Sequence, residues 1–401
     1  MNATSKIPPL RFKGCDGVWE EKRLGEMGSP YNGLSGKCKS DFGHGDGRYV
    51  TYLNVFNNPV VEAERCDRIE IDKLQNEVCD GDVFFTTSSE TPEEVGMASV
   101  WRGNGENTYL NSFCFGYRPK SKINANFWAY MLRSDSFRDR IVVLAQGISR
   151  YNISKGKVME LPVSLPKDAE QQKIGSIFCS LDALIADRES AVEKLRTFKK
   201  AMLEKMFPRA GAKVPEVRFK GCEGEWERKP LDEIAKKRNE SALSGGVPKL
   251  EYEDIVSFEG VLKRSLDHLY IEKRGISFYV GDVLFGKLRP YLGNWFHATF
   301  DGVAVGDWWV LKPVSVVSEY LYVLIQSDAF QVAANQSAGS KMPRADWNLV
   351  SETLYPIPPM VEEQRKIGAY FRSLDALISA RQEEVGKLKN LKKALLDRMF
   401  V

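Results

Sequence analysis

Basic and hydroxyl side chains gather on four short stretches of this chain, and the chemistry they could perform is the gripping of a polyanion. Two stretches lie in the first half: residues 86–91, Thr-Thr-Ser-Ser-Glu-Thr, and Gln146-Gly-Ile-Ser-Arg-Tyr151. Two lie in the second: Gly286-Lys-Leu-Arg-Pro-Tyr291 and Ser340-Lys-Met-Pro-Arg344. An arginine can donate two parallel hydrogen bonds to a guanine edge, and Ser, Thr, Tyr and Lys can anchor phosphate oxygens. The candidate contacts are therefore Thr86, Thr87, Ser88, Ser149, Arg150 and Tyr151, then Lys287, Arg289, Tyr291, Lys341 and Arg344. Taken singly, each cation of the second half could equally be a solvated surface charge. Tyr291, Trp295 and Trp347 suit a core better than base stacking, although Tyr291 closes the basic run and stays among the candidates. Arg150 and Arg344 correspond at an offset of 194 residues.

Catalysis has no comparable set of residues. The chain lacks a Gly-x-x-x-x-Gly-Lys-Ser/Thr phosphate loop, a dinucleotide fingerprint, a nucleophile elbow and a His-Glu-x-x-His pair. Asn57-Asn-Pro-Val60 is only a faint echo of the methyltransferase signature Asn-Pro-Pro-Tyr/Phe. His44, His268 and His297 have neither metal-ligand spacing nor a duplicated partner. No catalytic residue, metal or cofactor is expected.

These stretches are held in a chain that states its framework twice. Arg11-Phe-Lys-Gly-Cys-Asp-Gly-Val-Trp-Glu20 returns as Arg218-Phe-Lys-Gly-Cys-Glu-Gly-Glu-Trp-Glu227, 207 residues later. Gln171-Gln-Lys-Ile-Gly-Ser-Ile-Phe-Cys-Ser-Leu-Asp-Ala-Leu-Ile185 returns at residues 364–378, 193 residues later. The segments between these blocks differ in length by 14 residues and have diverged, so constant frames enclose variable contents. Trp19 and Trp226 recur within the frame, which favours structure over readout. A period near 200 residues is too long for a solenoid, so each copy should be a domain with an appendage, related by a pseudo-two-fold axis.

Composition agrees with two globular cores: 401 residues, 43% hydrophobic and 28% charged. Seven cysteines without a Cys-x-x-Cys pair indicate a reducing compartment. No apolar run reaches the ~20 residues that cross a bilayer, and the first ten residues lack the apolar core of a signal peptide, so a cytoplasmic protein without membrane contact is expected. A net charge of +3 is too small for a global field, leaving nucleic-acid contact to local clefts.

The appendages read as helices. Asp168-Ala-Glu-Gln171 resembles a capping box. From it Ile174, Phe178, Leu181, Ile185, Arg188, Val192, Leu195, Met202 and Met206 recur largely at alternating steps of four and three. Ile367, Phe371, Leu374, Ile378, Arg381, Val385, Leu388, Leu395 and Met399 repeat the pattern. That is a coiled-coil seam on helices of roughly 39 residues, or about 58 Å. The two should pair, and because a whole domain lies between them the pairing should be antiparallel. Arg188 and Arg381 in the seam either fix register or carry their charge out to solvent. Phe198 and Leu391 lie beside the seam and need cover, which makes them candidate partner-docking residues. Within the variable segments, Gly81-Asp-Val-Phe-Phe85 and Gly281-Asp-Val-Leu-Phe285 read as turns feeding buried strands, and helices are expected over residues 127–140 and 319–330.

In this order the motifs closely resemble the DNA-specificity subunit of a type I restriction-modification enzyme. The residues that carry the resemblance are the paired helices with Ser-Leu-Asp-Ala-Leu-Ile, the repeated Arg-Phe-Lys-Gly-Cys-x-Gly-x-Trp-Glu, and the Gly-Asp-Val and Gly-Lys-Leu-Arg-Pro-Tyr-Leu runs. The resemblance implies an α+β architecture: two mixed α/β target-recognition domains, at 1–166 and 208–358, separated by a long antiparallel coiled coil of helices at 167–207 and 359–401. It implies partners too: double-stranded DNA read as two half-sites, two methyltransferase subunits docked on the helices, and a restriction/translocase subunit. S-adenosylmethionine and ATP sites would then lie on those partners. The alternatives are a stand-alone fused methyltransferase and a protein-binding scaffold.

Overall fold

The computed structural model describes residues 7–263, 272–336 and 342–401. The chain divides into two compact units, Met1–Arg188 with Glu384–Val401, and Glu189–Glu383. Each unit takes its sheets from one copy of the repeat and its helical part from both.

Both long helices form, as Asp168–Met206 and Val361–Met399, 39 residues each. Each contributes one half to each unit. In the first unit Asp182 pairs with Lys392 and Arg188 with Glu384, so one number rises as the other falls and the helix halves run antiparallel. In the second unit Lys199 pairs with Asp375, while Arg196 and Gln382 both bond Glu259, which gives the same direction. The ends of the helices are what the cores use. Met399 and Phe400 join Trp19, Phe127, Ile174 and Phe178 in the first core; Met206 and Phe207 join Trp226, Tyr320, Ile367 and Phe371 in the second. Trp19 meets Phe400 edge-on at 6.5 Å, and Trp226 meets Phe207 edge-on at 5.9 Å. Fully burying such a ring is worth about 1.5–3 kcal/mol, so each core is anchored by the far end of the other copy's helix.

The first unit carries an antiparallel sheet in the order Gly28–Asn32, Cys114–Pro119, Val83–Thr86, Ala98–Val100, beside a mixed sheet in the order Asp67–Ile69, Phe42–Val50, Thr108–Leu110. The second carries an antiparallel sheet in the order Ala235–Lys237, Trp308–Pro313, Val283–Gly286, Trp295–His297 and a mixed sheet in the order Ser241–Leu243, Arg274–Phe278, Gly302–Ala304, Lys249–Leu250. Both Gly-Asp-Val runs feed the expected buried strands, Val83–Thr86 and Val283–Gly286. The Asp side chains are buried ion-pair partners: Asp82 takes two bonds from Arg118 at 2.7 and 2.9 Å, and Asp282 two from Arg238 at 2.7 and 3.1 Å.

The repeated frame closes on itself. Glu20–Arg23 pairs with Pro162–Leu165, the strand that leads into the first long helix, and Glu227–Pro230 pairs with Leu354–Ile357, which leads into the second. Arg11 grips Glu170 with two bonds, at 2.8 and 2.6 Å, and Arg218 grips Glu363 at 2.7 and 2.8 Å. The same guanidinium groups donate to the carbonyls of Gly17 and Gly224, both in the left-handed region at φ 93° and 86°. Only glycine adopts that turn without strain, which accounts for its place in both frames.

Two expectations change in detail. The helix expected over 127–140 is two helices, Ala125–Met131 and Asp135–Val142, and that over 319–330 is also two, Ser318–Leu324 and Asp328–Asn335. The break has one cause in both units. The buried hydroxyls of Ser134 and Ser327 turn back to the carbonyls of Met131 and Leu324, at 2.7 and 2.6 Å, and end the first helix.

Candidate nucleic-acid interface

Each unit brings its two candidate loops together beyond the end of its Gly-Asp-Val strand. In the first unit Ser88–Ser89 pairs with Tyr151–Asn152. The Ile153 N–H donates to the Thr87 carbonyl at 3.1 Å. In the second unit Leu288 bridges to Arg344, and the Ala345 N–H donates to the Lys287 carbonyl at 2.8 Å. These ladders equate Ser88 with Leu288, Asn152 with Arg344 and Ile153 with Ala345. The helix-starting residues Ser154 and Asp346 follow in step. The structural offset is thus 192, and Arg150 does not correspond to Arg344. The basic residues alone had suggested 194, because one arginine in a diverged loop is a poor ruler.

Most of the first unit's candidates reach the surface. Ser149 and Arg150 are exposed, and Thr87, Ser88 and Tyr151 are half-buried. Thr87 spends its hydroxyl hydrogen on the Phe113 carbonyl at 2.8 Å, and the Ser88 carbonyl accepts from the Tyr52 hydroxyl at 2.7 Å. Tyr151 also packs against the core. Thr86 does not reach the surface. It is fully buried, and its Oγ1 accepts from the Met97 N–H at 3.0 Å, so it is a strand residue and not a contact.

The second unit's candidates form a cationic cluster around a carboxylate that sequence reading had passed over. Asp307 lies 3.4 Å from Lys287 Nζ and 3.1 Å from Arg344 Nη2. Burial works to raise the Asp307 pKa, but the bonds and charges of Arg344 and Lys287 together hold it below the usual carboxylate range. Lys237 stands over the ring of Trp347 at 4.4 Å, and burial, then the like charge of Lys287, lower its pKa. Arg289 is exposed, with backbone in the left-handed region at φ 48°, and Tyr291 is 53% exposed, in contrast to the core role that also suited it. Trp295 is buried, and Trp347 is half-buried beneath Lys237. Lys341 lies outside the described residues, as does His268. Lys237, at the end of a strand, and Asp307, on a loop, were missed because both are distant in sequence from the two basic runs.

His297 bonds the Ser318 hydroxyl at 2.7 Å, and burial lowers its pKa; His44 is exposed. Among the described residues no three His, Cys, Asp or Glu side chains gather so as to hold a metal ion, and no helix is long and apolar enough to cross a membrane.

On the long helices the charged seam position that matters was also missed. Between Leu195 and Met202 stands Lys199, and its counterpart is Lys392. Lys199 meets Asp375 at 2.6 Å, and Lys392 meets Asp182 at 2.5 Å. Both carboxylates are the Asp of the repeated Ser-Leu-Asp-Ala-Leu-Ile. Each unit holds one such pair, which suits the fixing of antiparallel register. Arg188 bonds Glu384 at 3.1 Å, while Arg381 is exposed. Phe198 and Leu391 are 48% and 49% exposed, and the equivalent Leu184 and Leu377 are 38% and 42% exposed. Among the described residues each unit therefore shows at least one water-facing apolar side chain from each helix half, Leu184 and Leu391 in the first, Phe198 and Leu377 in the second.

Comparison with known proteins follows the same lines. Residues 18–194 match the family model described as type I restriction modification DNA specificity domain. The chain is 22% identical over 355 residues to the type I restriction enzyme EcoDI specificity subunit of Escherichia coli, covering 79% of this chain and 78% of that protein. It is 21% identical over 393 residues to the MjaVIII specificity subunit of Methanocaldococcus jannaschii, covering 88% and 90%. Among solved structures it resembles the S subunit of a type I restriction-modification system from M. genitalium, with a TM-score of 0.61, 16% identity, and 98% and 99% of the two chains covered. A chain solved in work on assembly and conformational transition of the type I R-M system gives a TM-score of 0.59 at 17% identity.

Proposed function

We propose that this chain, which belongs to the family of type I restriction-modification specificity subunits, reads a bipartite DNA target with one half-site assigned to each unit. The observation that carries the reading is a contrast within the repeat. The Arg–Glu clasp, the buried Trp and the Lys–Asp seam pair recur in both units, while the loops gathered beyond the Gly-Asp-Val strand differ in charge and shape. A surface that must recognise two different sequences should diverge where its scaffold does not.

In this reading Thr87, Ser88, Ser149, Arg150 and Tyr151 face the first half-site. Lys287, Arg289, Tyr291, Arg344 and Lys237 face the second, joined by Lys341 from outside the described residues. The exposed apolar side chains on the long helices, Phe198 and Leu391 among them, dock two methyltransferase subunits, and the restriction subunit joins through that assembly. The chain is a recognition component and not a catalyst, so S-adenosylmethionine and ATP chemistry falls to its partners. The relatives give the stand-alone methyltransferase and scaffold readings no support. A DNA target supports a cytoplasmic location for the chain.

The test is an exchange. Replacing residues 20–165 with the equivalent segment of a relative should change one half of the methylated sequence and leave the other intact. A change in both halves contradicts separate reading.

A further inference from the structure

The surface that occupies the place of the second unit's cationic cluster is, in the first unit, largely apolar. Thr87 donates its N–H to the carbonyl of Phe113 where Lys287 donates to that of Asp307, so Phe113 stands where the anchoring carboxylate stands in the other copy. Tyr52, Leu53, Phe56, Ser88, Phe113 and Arg150 line a cleft of about 360 Å³. Leu53 is 64% exposed and Phe113 57%, and Ile148, two residues from Arg150 on the same loop, is 97% exposed. Apolar side chains that a helix, Tyr52–Asn57, and two loops turn to water around one cleft mark a binding surface.

Charge narrows the occupant. Among the described residues Arg150 is the one cation lining the cleft, and Glu90 and Glu94 line it as well, so the cleft repels phosphate. The apolar group that a duplex offers is the 5-methyl of thymine, set in the major groove beside the O4 acceptor, and a carboxylate there can accept from a cytosine amino group. We infer that the first unit reads its half-site chiefly through thymine methyl groups seated against Phe113 and Leu53, with Arg150 supplying the adjacent polar contact. The inference rests on the DNA-reading function proposed above and makes the two half-sites chemically unlike, one recognised through methyl groups and the other through cations.

Deoxyuridine removes the methyl group and keeps the pairing edge. The chain in complex with its methyltransferase partners is titrated with duplexes of its mapped target in which each thymine is replaced in turn by deoxyuridine. At one or more positions of one half-site, affinity falls about four-fold, or about 0.8 kcal/mol for one buried methyl. The loss disappears in Phe113→Ala or Leu53→Ala, and discrimination within the other half-site is unchanged, which also shows that the variants are folded. A first half-site insensitive to uracil, an equal uracil effect in wild type and both variants, or variants that lose methyltransferase association instead of discrimination would each overturn the inference. Absence of sequence-specific binding by the wild-type complex would instead remove the DNA-reading function, and the inference with it.

Discussion

Beyond the strand that follows Gly81-Asp82 the first unit places Thr87, Ser88 and Phe113; beyond the strand that follows Gly281-Asp282 the second places Lys287, Leu288 and Asp307. The backbone at the two sites is nearly the same, down to the hydrogen bond from Thr87 or Lys287 and the ladder partner in Asn152 or Arg344. The side chains share almost nothing. Behind the surfaces the opposite holds: Arg11 and Arg218, Trp19 and Trp226, Lys392 and Lys199 make the same contacts in both units. A duplicated fold can therefore keep its core chemistry fixed while one loop cluster changes its charge and shape, provided that the backbone presenting the cluster is held by the fixed part.

Cutting the fixed part should produce the largest effect, and an equal one in both units. Glu170 and Glu363 have side chains 5% and 1% exposed, so Arg11→Met or Arg218→Met leaves a buried carboxylate without its partner. Each substitution should cost about 3–5 kcal/mol, read as a lowered denaturation midpoint of the unit concerned. A loss in one unit only would break the equivalence. Slightly smaller is the effect at the seam. Asp375→Ala leaves the buried Lys199 with only the Gln326 amide oxygen, at 2.8 Å, and should destabilise by about 3 kcal/mol, whereas Lys199→Leu combined with Asp375→Leu should recover most of the loss, because a well-packed apolar pair replaces the ion pair. Failure of the double replacement to recover would show that the pair does more than set register.

Glutamate at Phe198 and Leu391 should weaken co-purification with a methyltransferase partner about ten-fold while both units keep their unfolding midpoints, since each side chain is about half exposed and outside the cores. Unchanged association would move the docking surface elsewhere. The smallest effect concerns Asp307. Its carboxyl titrates below the usual range, so the anchoring of Lys287 and Arg344 is complete above the unfolded-state value, near 3.9, and is lost only as pH falls through the lower folded value. DNA affinity from this cluster should be flat from about pH 6 to 8. Asp307→Asn should change stability by less than about 1 kcal/mol, as for other partly exposed pairs.

The sequence made the frame legible because repetition marks it: the long helices, their seam, the Gly-Asp-Val strands and the identical Trp all stood out without coordinates. Lys199 and Lys392 escaped because a seam is sought among apolar residues and a lysine reads as an interruption. The candidate surface was legible only in part. Arg150, Lys287 and Arg344 were recognisable as cations on loops, but Asp307, Lys237, Phe113 and Leu53 reach the surface from segments far off in sequence. Thr86 shows the converse error: in a polar run of four hydroxyl residues, nothing local marks the one still inside the strand.

Whether each unit reads its own half-site from this divergent loop cluster is decided by methylation mapping of the complex carrying Lys287→Ala and Arg344→Ala. Loss of a base-contacting cation costs about 1–3 kcal/mol of discrimination, so degeneracy should appear at one or two positions within a single half of the bipartite sequence, with the other half and the spacer unchanged. Relaxation in both halves, or an unaltered recognition sequence, would contradict the account.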